Sequence, residues 1–163
     1  MRLSDKQIYA LKKVSMAPLS TKERENALNE VRILASIKHP NVVAYKEAFI
    51  EEAEQSLCIV MEYADDGDVY QKIVQLQKSK AHFEEDDVWK IFIGMCRGLQ
   101  ALHRLRILHR DMKSANIFLS KEGQGFVAKL GDLNVSKVAK GAAGLLYTQT
   151  GTPYYASPEV WKD

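Results

Sequence analysis

Cysteine is scarce in this 163-residue chain. Its two residues, Cys58 and Cys96, cannot build a disulfide framework or a four-thiolate zinc site. Both sit in apolar runs, so the sequence reads them as buried thiols of a reducing compartment. An excess of one charge is also lacking. Lys and Arg total 23 against 21 Asp and Glu, a net charge of +2, which gives no argument for a nucleic-acid or membrane surface. Nine Gly and four Pro are too few for a collagenous or Pro-rich linker protein. No apolar stretch reaches the roughly 18 residues of a membrane span, and Met1-Arg2-Leu3-Ser4-Asp5 has no apolar signal core. What remains is 46% hydrophobic and 27% charged, the composition of an ordinary globular domain, at a length that suits one.

The pattern along the chain is mixed. Gln7 to Val14 reads as a short strand with Ile8, Ala10 and Lys12 on one side, preceded by a turn at Leu3-Ser4-Asp5-Lys6. Ser20-Thr21-Lys22-Glu23 is a capping box, and Ala27, Val31, Leu34 and Ala35 fall on one face of the helix it opens. Pro40 disfavours helical geometry at His39 and ends that helix. Val42 to Ile50 and Leu57 to Tyr63 read as an antiparallel pair around an acidic turn. Asp65-Asp66-Gly67-Asp68 marks a boundary, after which a short helix is expected over Val69 to Lys78 and a long one from Glu84. The acidic start of the long helix suits its positive end, and Val88, Phe92, Met95, Leu99 and Leu102 give it a stripe expected to be buried. Beyond Leu105 the helical period stops and short polar and apolar segments alternate. His103 and His109 have no acidic or thiol partners at ligand spacing, which argues against a metal centre.

The chemistry lies in that last stretch. His109-Arg110-Asp111-Met112-Lys113-Ser114-Ala115-Asn116 puts a carboxylate, an ammonium and an amide oxygen on one loop. Such a set can orient a hydroxyl and take its proton, neutralise charge on a transferred group and ligate a hard cation. The segment resembles the catalytic loop of protein kinases, and Gly131-Asp132-Leu133-Asn134 stands where that family has Asp-Phe-Gly. Leu133 keeps an apolar side chain there, and Asn134 replaces Gly with a residue that tolerates positive φ. Gly151-Thr152-Pro153-Tyr154-Tyr155-Ala156-Ser157-Pro158-Glu159 resembles the end of an activation segment, and Tyr9-Ala10-Leu11-Lys12 resembles Val-Ala-Ile-Lys.

The resemblance implies a role for each matching position. Asp111 and Lys113 would act at the reacting group, and Asn116 and Asp132 would ligate magnesium. Lys12 would hold the ATP phosphates, paired with Glu30 on the first helix. Met61-Glu62-Tyr63-Ala64 would be the hinge, with Met61 as gatekeeper, and Ala10 and Phe118 would sandwich the adenine. Asp68 would reach a ribose hydroxyl or cap the helix after it. Leu34, His109 and Leu133 would stack in an internal spine. Arg110 would meet a phosphate on the activation segment, with Thr148 the first and Thr150 the second acceptor, while Thr152 would bind Lys113 and Asp111.

Lys113 together with Gly151-Thr152-Pro153-Tyr154-Tyr155 resembles serine/threonine kinases rather than tyrosine kinases. Leu28-Asn29-Glu30-Val31-Arg32-Ile33-Leu34, Lys38-His39-Pro40-Asn41 and Asn116-Ile117-Phe118-Leu119 are similar to NIMA-related kinases. This implies an α+β, two-lobed fold that uses ATP and Mg2+ on protein serine and threonine hydroxyls. It also implies a cytoplasmic protein with roles around centrosomes, cilia or the cell cycle. The expected division is an N-lobe over 1–61, a hinge over 62–68 and a C-lobe over 69–163. No Gly-x-Gly-x-x-Gly precedes Lys12 and little follows Glu159. The sequence therefore reads as a kinase domain truncated at both ends, expected to be inactive as the isolated chain. The alternative is a non-catalytic kinase-like interaction module, against which stand the intact Lys12, Asp111 and Asp132.

Overall fold

The alternation of Ala10, Lys12 and Val14 with Leu11, Lys13 and Ser15 builds the first strand. In the computed structural model, which describes residues 1–133, 137–138 and 153–158, β1 is Tyr9–Ser15, with the first set half-buried and the second exposed. Ile8, expected on the inner side, precedes the strand and is exposed. The turn before it is closed by backbone bonds between Arg2, Lys6 and Gln7 and by the Arg2–Asp5 ion pair. Helix α1 (Thr21–Ser36) begins directly after Ser20 and stops short of Pro40. Val31 is buried and Ala27 and Leu34 half-buried, but Ala35 is exposed and Ile33 packs inward in its place.

Strands β2 (Tyr45–Glu51) and β3 (Ser56–Glu62) form the expected antiparallel pair, and β3 lies centrally in the order β1-β3-β2. Leu57 and Ile59 pack with Met16 and Val31 to fill the space between sheet and helix. The chain from Val42 to Ala44, expected to open β2, does not join it. Val43 donates its amide to Leu130 O at 2.8 Å, and Leu130 donates to Asn41 O at 2.9 Å. Val42 is drawn away because its side chain is buried in the second core, among Leu102, Leu119 and Leu130.

That second core lies in the helical half. It follows α2 (Val69–Lys78), α3 (Glu85–Arg104), β4 (Ile107–Leu108), a 3-10 turn at Ser114–Asn116, and the hairpin β5 (Ile117–Glu122) and β6 (Gly125–Leu130). β7 (Lys137–Val138) pairs with β4, and Pro153–Tyr155 forms a second 3-10 turn. The stripe expected on α3 is only half right. Met95, Leu99 and Leu102 face the core, but Val88 and Phe92 are 51% and 53% exposed. The buried face instead runs through Ile91, Gly94, Gly98 and Leu102. Close approach fixes it. A Cβ at Gly94 would stand 3.1 Å from Ala128, and one at Gly98 would stand 2.6 Å from Asn41 O. Cys58 is buried as expected, whereas Cys96, on α3, is exposed.

Candidate active site

Between the N-terminal sheet and the helical half lies a cleft of about 520 Å3. Its walls gather residues from distant parts of the sequence. Ala10 comes from β1, Met61 and Glu62 from the end of β3, and Tyr63 and Ala64 from the segment after it. Asp68, Asn116, Phe118, Gly131 and Asp132 close the other side. Each has a local reason for its place. Asp68 is buried and caps α2, its Oδ1 accepting the Gln71 amide at 2.9 Å, so of its two expected roles the geometry displays the cap. Leu119 donates to Gly67 O at 2.8 Å and Asp66 to Leu119 O at 3.0 Å, which fastens the connecting segment along β5.

Gly131 sets the approach of Asp132. A Cβ at Gly131 would stand 2.6 Å from the Phe118 ring, so the floor of the cleft accepts only glycine there. Asp132 adopts φ +52° and Arg110 φ +67°, a backbone region that costs non-glycine residues energy and is found mostly where surrounding structure enforces it. The Lys12 ammonium lies 3.4 Å from Asp132 Oδ1, joining the two sides of the cleft.

The loop below is cross-linked through Asp111. Lys113 Nζ is 2.8 Å from Asp111 Oδ2. Asn116 Nδ2 donates to Asp111 O at 2.8 Å and to Asp111 Oδ2 at 3.0 Å. Gly131 donates its amide to Asn116 O at 3.0 Å, tying this loop to the one bearing Asp132. His109 is buried, with Nε2 3.0 Å from Gly131 O and Nδ1 accepting the Asp111 amide at 3.4 Å. A carbonyl oxygen can only accept, so the proton sits on Nε2 and the ring is neutral. Burial pushes the His109 pKa below its ordinary value, against the opposite pull of the Gly131 carbonyl and the nearby Asp111 and Asp132 charges. Leu133 is buried, and Leu34 packs against the same core.

Several expected residues escape this picture. The side chain of Glu30 on α1, and Asn134, Thr148, Thr150, Thr152 and Glu159, lie outside the described residues. Tyr155 lies within them, its hydroxyl 3.1 Å from Ser114 Oγ on the catalytic-type loop. Others were not singled out from sequence. Asn41, whose Nδ2 donates to Ala128 O at 2.9 Å, fastens to β6 the crossing segment, residues 41–44 between α1 and β2. Lys129 pairs with Glu62 at 2.6 Å, and no spacing rule joins residues so far apart.

Among the described residues no three His, Cys, Asp or Glu side chains converge as an all-protein cation site. A hard cation held mainly by ligand phosphates needs only one or two protein oxygens, and Asn116 and Asp132 line the cleft with oxygens of that kind.

The family model of the protein kinase domain matches residues 1–163. The chain is 43% identical over 156 residues to mouse serine/threonine-protein kinase Nek1, covering 96% of this chain and 12% of that protein. Mouse serine/threonine-protein kinase Nek3 is 42% identical over 160 residues, 98% of this chain and 29% of that protein. Mouse serine/threonine-protein kinase Nek5 is 43% identical over 157 residues, 96% of this chain and 23% of that protein. The chain thus spans less than a third of the length of these relatives. With its α+β architecture and catalytic-type loop, the chain belongs to the protein kinase family, and the relatives it resembles are NIMA-related serine/threonine kinases.

Proposed function

We propose that this cleft binds ATP with magnesium and that the chain carries the machinery for phosphorylating serine and threonine hydroxyls of proteins. The observation that carries this reading is the junction of Lys12, Asp132, Asn116, Asp111 and Lys113 through contacts of 2.8 to 3.4 Å at one end of the cleft. Ala10 and Phe118 hold the faces of the adenine, and the backbone of Met61, Glu62 and Ala64 its edge. When bound, magnesium-ATP supplies the phosphoryl group. Lys12 holds its phosphates, and Asn116 and Asp132 are the residues that would hold the cation. Asp111 orients the acceptor hydroxyl and takes its proton, while the Lys113 ammonium offsets charge on the transferred group. Arg110 serves as the docking point for a phosphate on the activation segment, at Thr148 or Thr150. The proposed division is an N-lobe over 1–61, a hinge over 62–68 and a C-lobe over 69–163, in a cytoplasmic protein that acts on other proteins.

Binding tests this reading. Titration of the chain with an adenine nucleotide, with and without magnesium, should show affinity that magnesium strengthens. In Asp132→Ala the magnesium effect should vanish, while Asp111→Asn should bind almost as wild type does, because one residue meets the cation and the other the acceptor. Magnesium-strengthened binding that persists in Asp132→Ala would contradict the assignment.

A further inference from the structure

Lys129 has no part in the reading above, yet it bridges the cleft's two sides. Its ammonium lies 2.6 Å from Glu62 Oε1, with side chains 15% and 24% exposed. That seclusion shields the pair from the screening that weakens surface ion pairs. The second oxygen, Glu62 Oε2, accepts the Ala44 amide at 3.1 Å, and the Glu62 amide donates to Ala44 O at 2.8 Å. Glu62 therefore holds the crossing segment by backbone and side chain together. Lys129 stands on β6 opposite Phe118. It precedes Leu130, which bonds to Asn41 and Val43, and the strand runs on to Gly131 and Asp132.

We propose that Lys129 is a positioning residue. Through Glu62 it fixes the angle between the N-terminal sheet and the β5–β6 hairpin, and so sets how tightly the cleft holds an adenine nucleotide. The inference rests on the nucleotide reading of the cleft. Neither residue needs to meet the reacting atoms. The pair acts by keeping Met61 and Glu62 at a constant distance from Phe118 and Asp132.

The test combines two measurements on the whole chain, with Lys129→Met, Lys129→Arg, Glu62→Gln and the Lys129→Met/Glu62→Gln double variant. Amide exchange without nucleotide reads the tie itself. Exchange at Val43, Ala44 and Leu130 should be protected in wild type and faster in Lys129→Met, while amides of α3 stay unchanged. Nucleotide titration reads the consequence. The Kd should rise about five-fold or more in Lys129→Met, stay near wild type in Lys129→Arg, which keeps the charge, and rise no further in the double variant than in either single one. A purely structural role would instead lower the melting temperature in Lys129→Met with the Kd unchanged. Unchanged Kd and exchange in Lys129→Met, additive losses in the double variant, or no protection of these amides in wild type would each overturn the inference. Failure of wild type to bind any adenine nucleotide would overturn the nucleotide reading. Exchange alone would then decide the tie, faster exchange in Lys129→Met supporting it and equal exchange overturning it.

Discussion

Asn116 spends its amide nitrogen on Asp111, donating to the backbone oxygen at 2.8 Å and to carboxylate Oδ2 at 3.0 Å. The reverse orientation would set the amide oxygen against two acceptors. The nitrogen is thus committed to Asp111, and the oxygen is the atom left to face a cation. Removing this side chain takes two hydrogen bonds from the half-buried Asp111, which keeps only the Lys113 ammonium among the partners described above, so Asn116→Ala should lower stability by about 1–3 kcal/mol in urea unfolding. Asn116→Asp places like charges together, which raises a carboxyl pKa. Its penalty should be largest well above the ordinary carboxylate range of about 4 and shrink on acidification. Equal penalties at acidic and alkaline pH would contradict this geometry.

His109 makes stability depend on pH. Its folded pKa lies below the ordinary 6.5 because the ring is buried. As pH falls through about 6.5 the unfolded chain takes up a proton that the folded chain refuses. The contribution is complete above the unfolded pKa and lost progressively down to the folded one. Urea midpoints measured across that window should fall with pH. The slope should diminish in His109→Phe, which gives up the Gly131 bond and sits lower throughout.

Gly98 packs α3 against Asn41 with no room for a side chain. An added methyl meets Asn41 O at 2.6 Å and the Leu130 side chain at 2.9 Å. Backbone cannot yield as a flexible side chain can, so Gly98→Ala should cost about 1–3 kcal/mol despite alanine's better helix propensity. A thermal melt that rises in Gly98→Ala would refute the packing.

The same glycine shows where sequence reading reached its limit. Helix α2 is found over Val69–Lys78 as expected, because Asp68 and the apolar spacing state it locally. For α3 the large apolar residues suggest a stripe of which Met95, Leu99 and Leu102 face the core but Val88 and Phe92 do not, since Gly94 and Gly98 admit β6 where no hydrophobic signal stands. Val42 and Val43 look like strand residues of β2 but are claimed by Leu130 of β6, a partner remote in sequence, while Ala44 bonds to Glu62. The loop from His109 to Asn116 was legible because its chemistry is compressed into one segment. The Lys12–Asp132 contact was not, because 120 positions separate the two residues. The sequence gives Glu62 a place in the hinge and Lys129 no role, and only the fold brings their side chains together.

The central claim is that Asp111 takes part in phosphoryl transfer. The most direct test joins the chain in frame to the flanking kinase-domain segments of a NIMA-related relative. It then follows magnesium-dependent transfer of the γ-phosphate of ATP to a generic protein substrate, comparing wild type with Asp111→Asn. Loss of a general base costs roughly 10²- to 10⁴-fold. Asp111→Asn should therefore slow transfer by that order, leave nucleotide affinity nearly unchanged, and leave the product label on serine or threonine in wild type. Transfer at wild-type rate in Asp111→Asn would contradict the account, and nucleotide binding without any transfer in wild type would return the chain to a non-catalytic, partner-binding role.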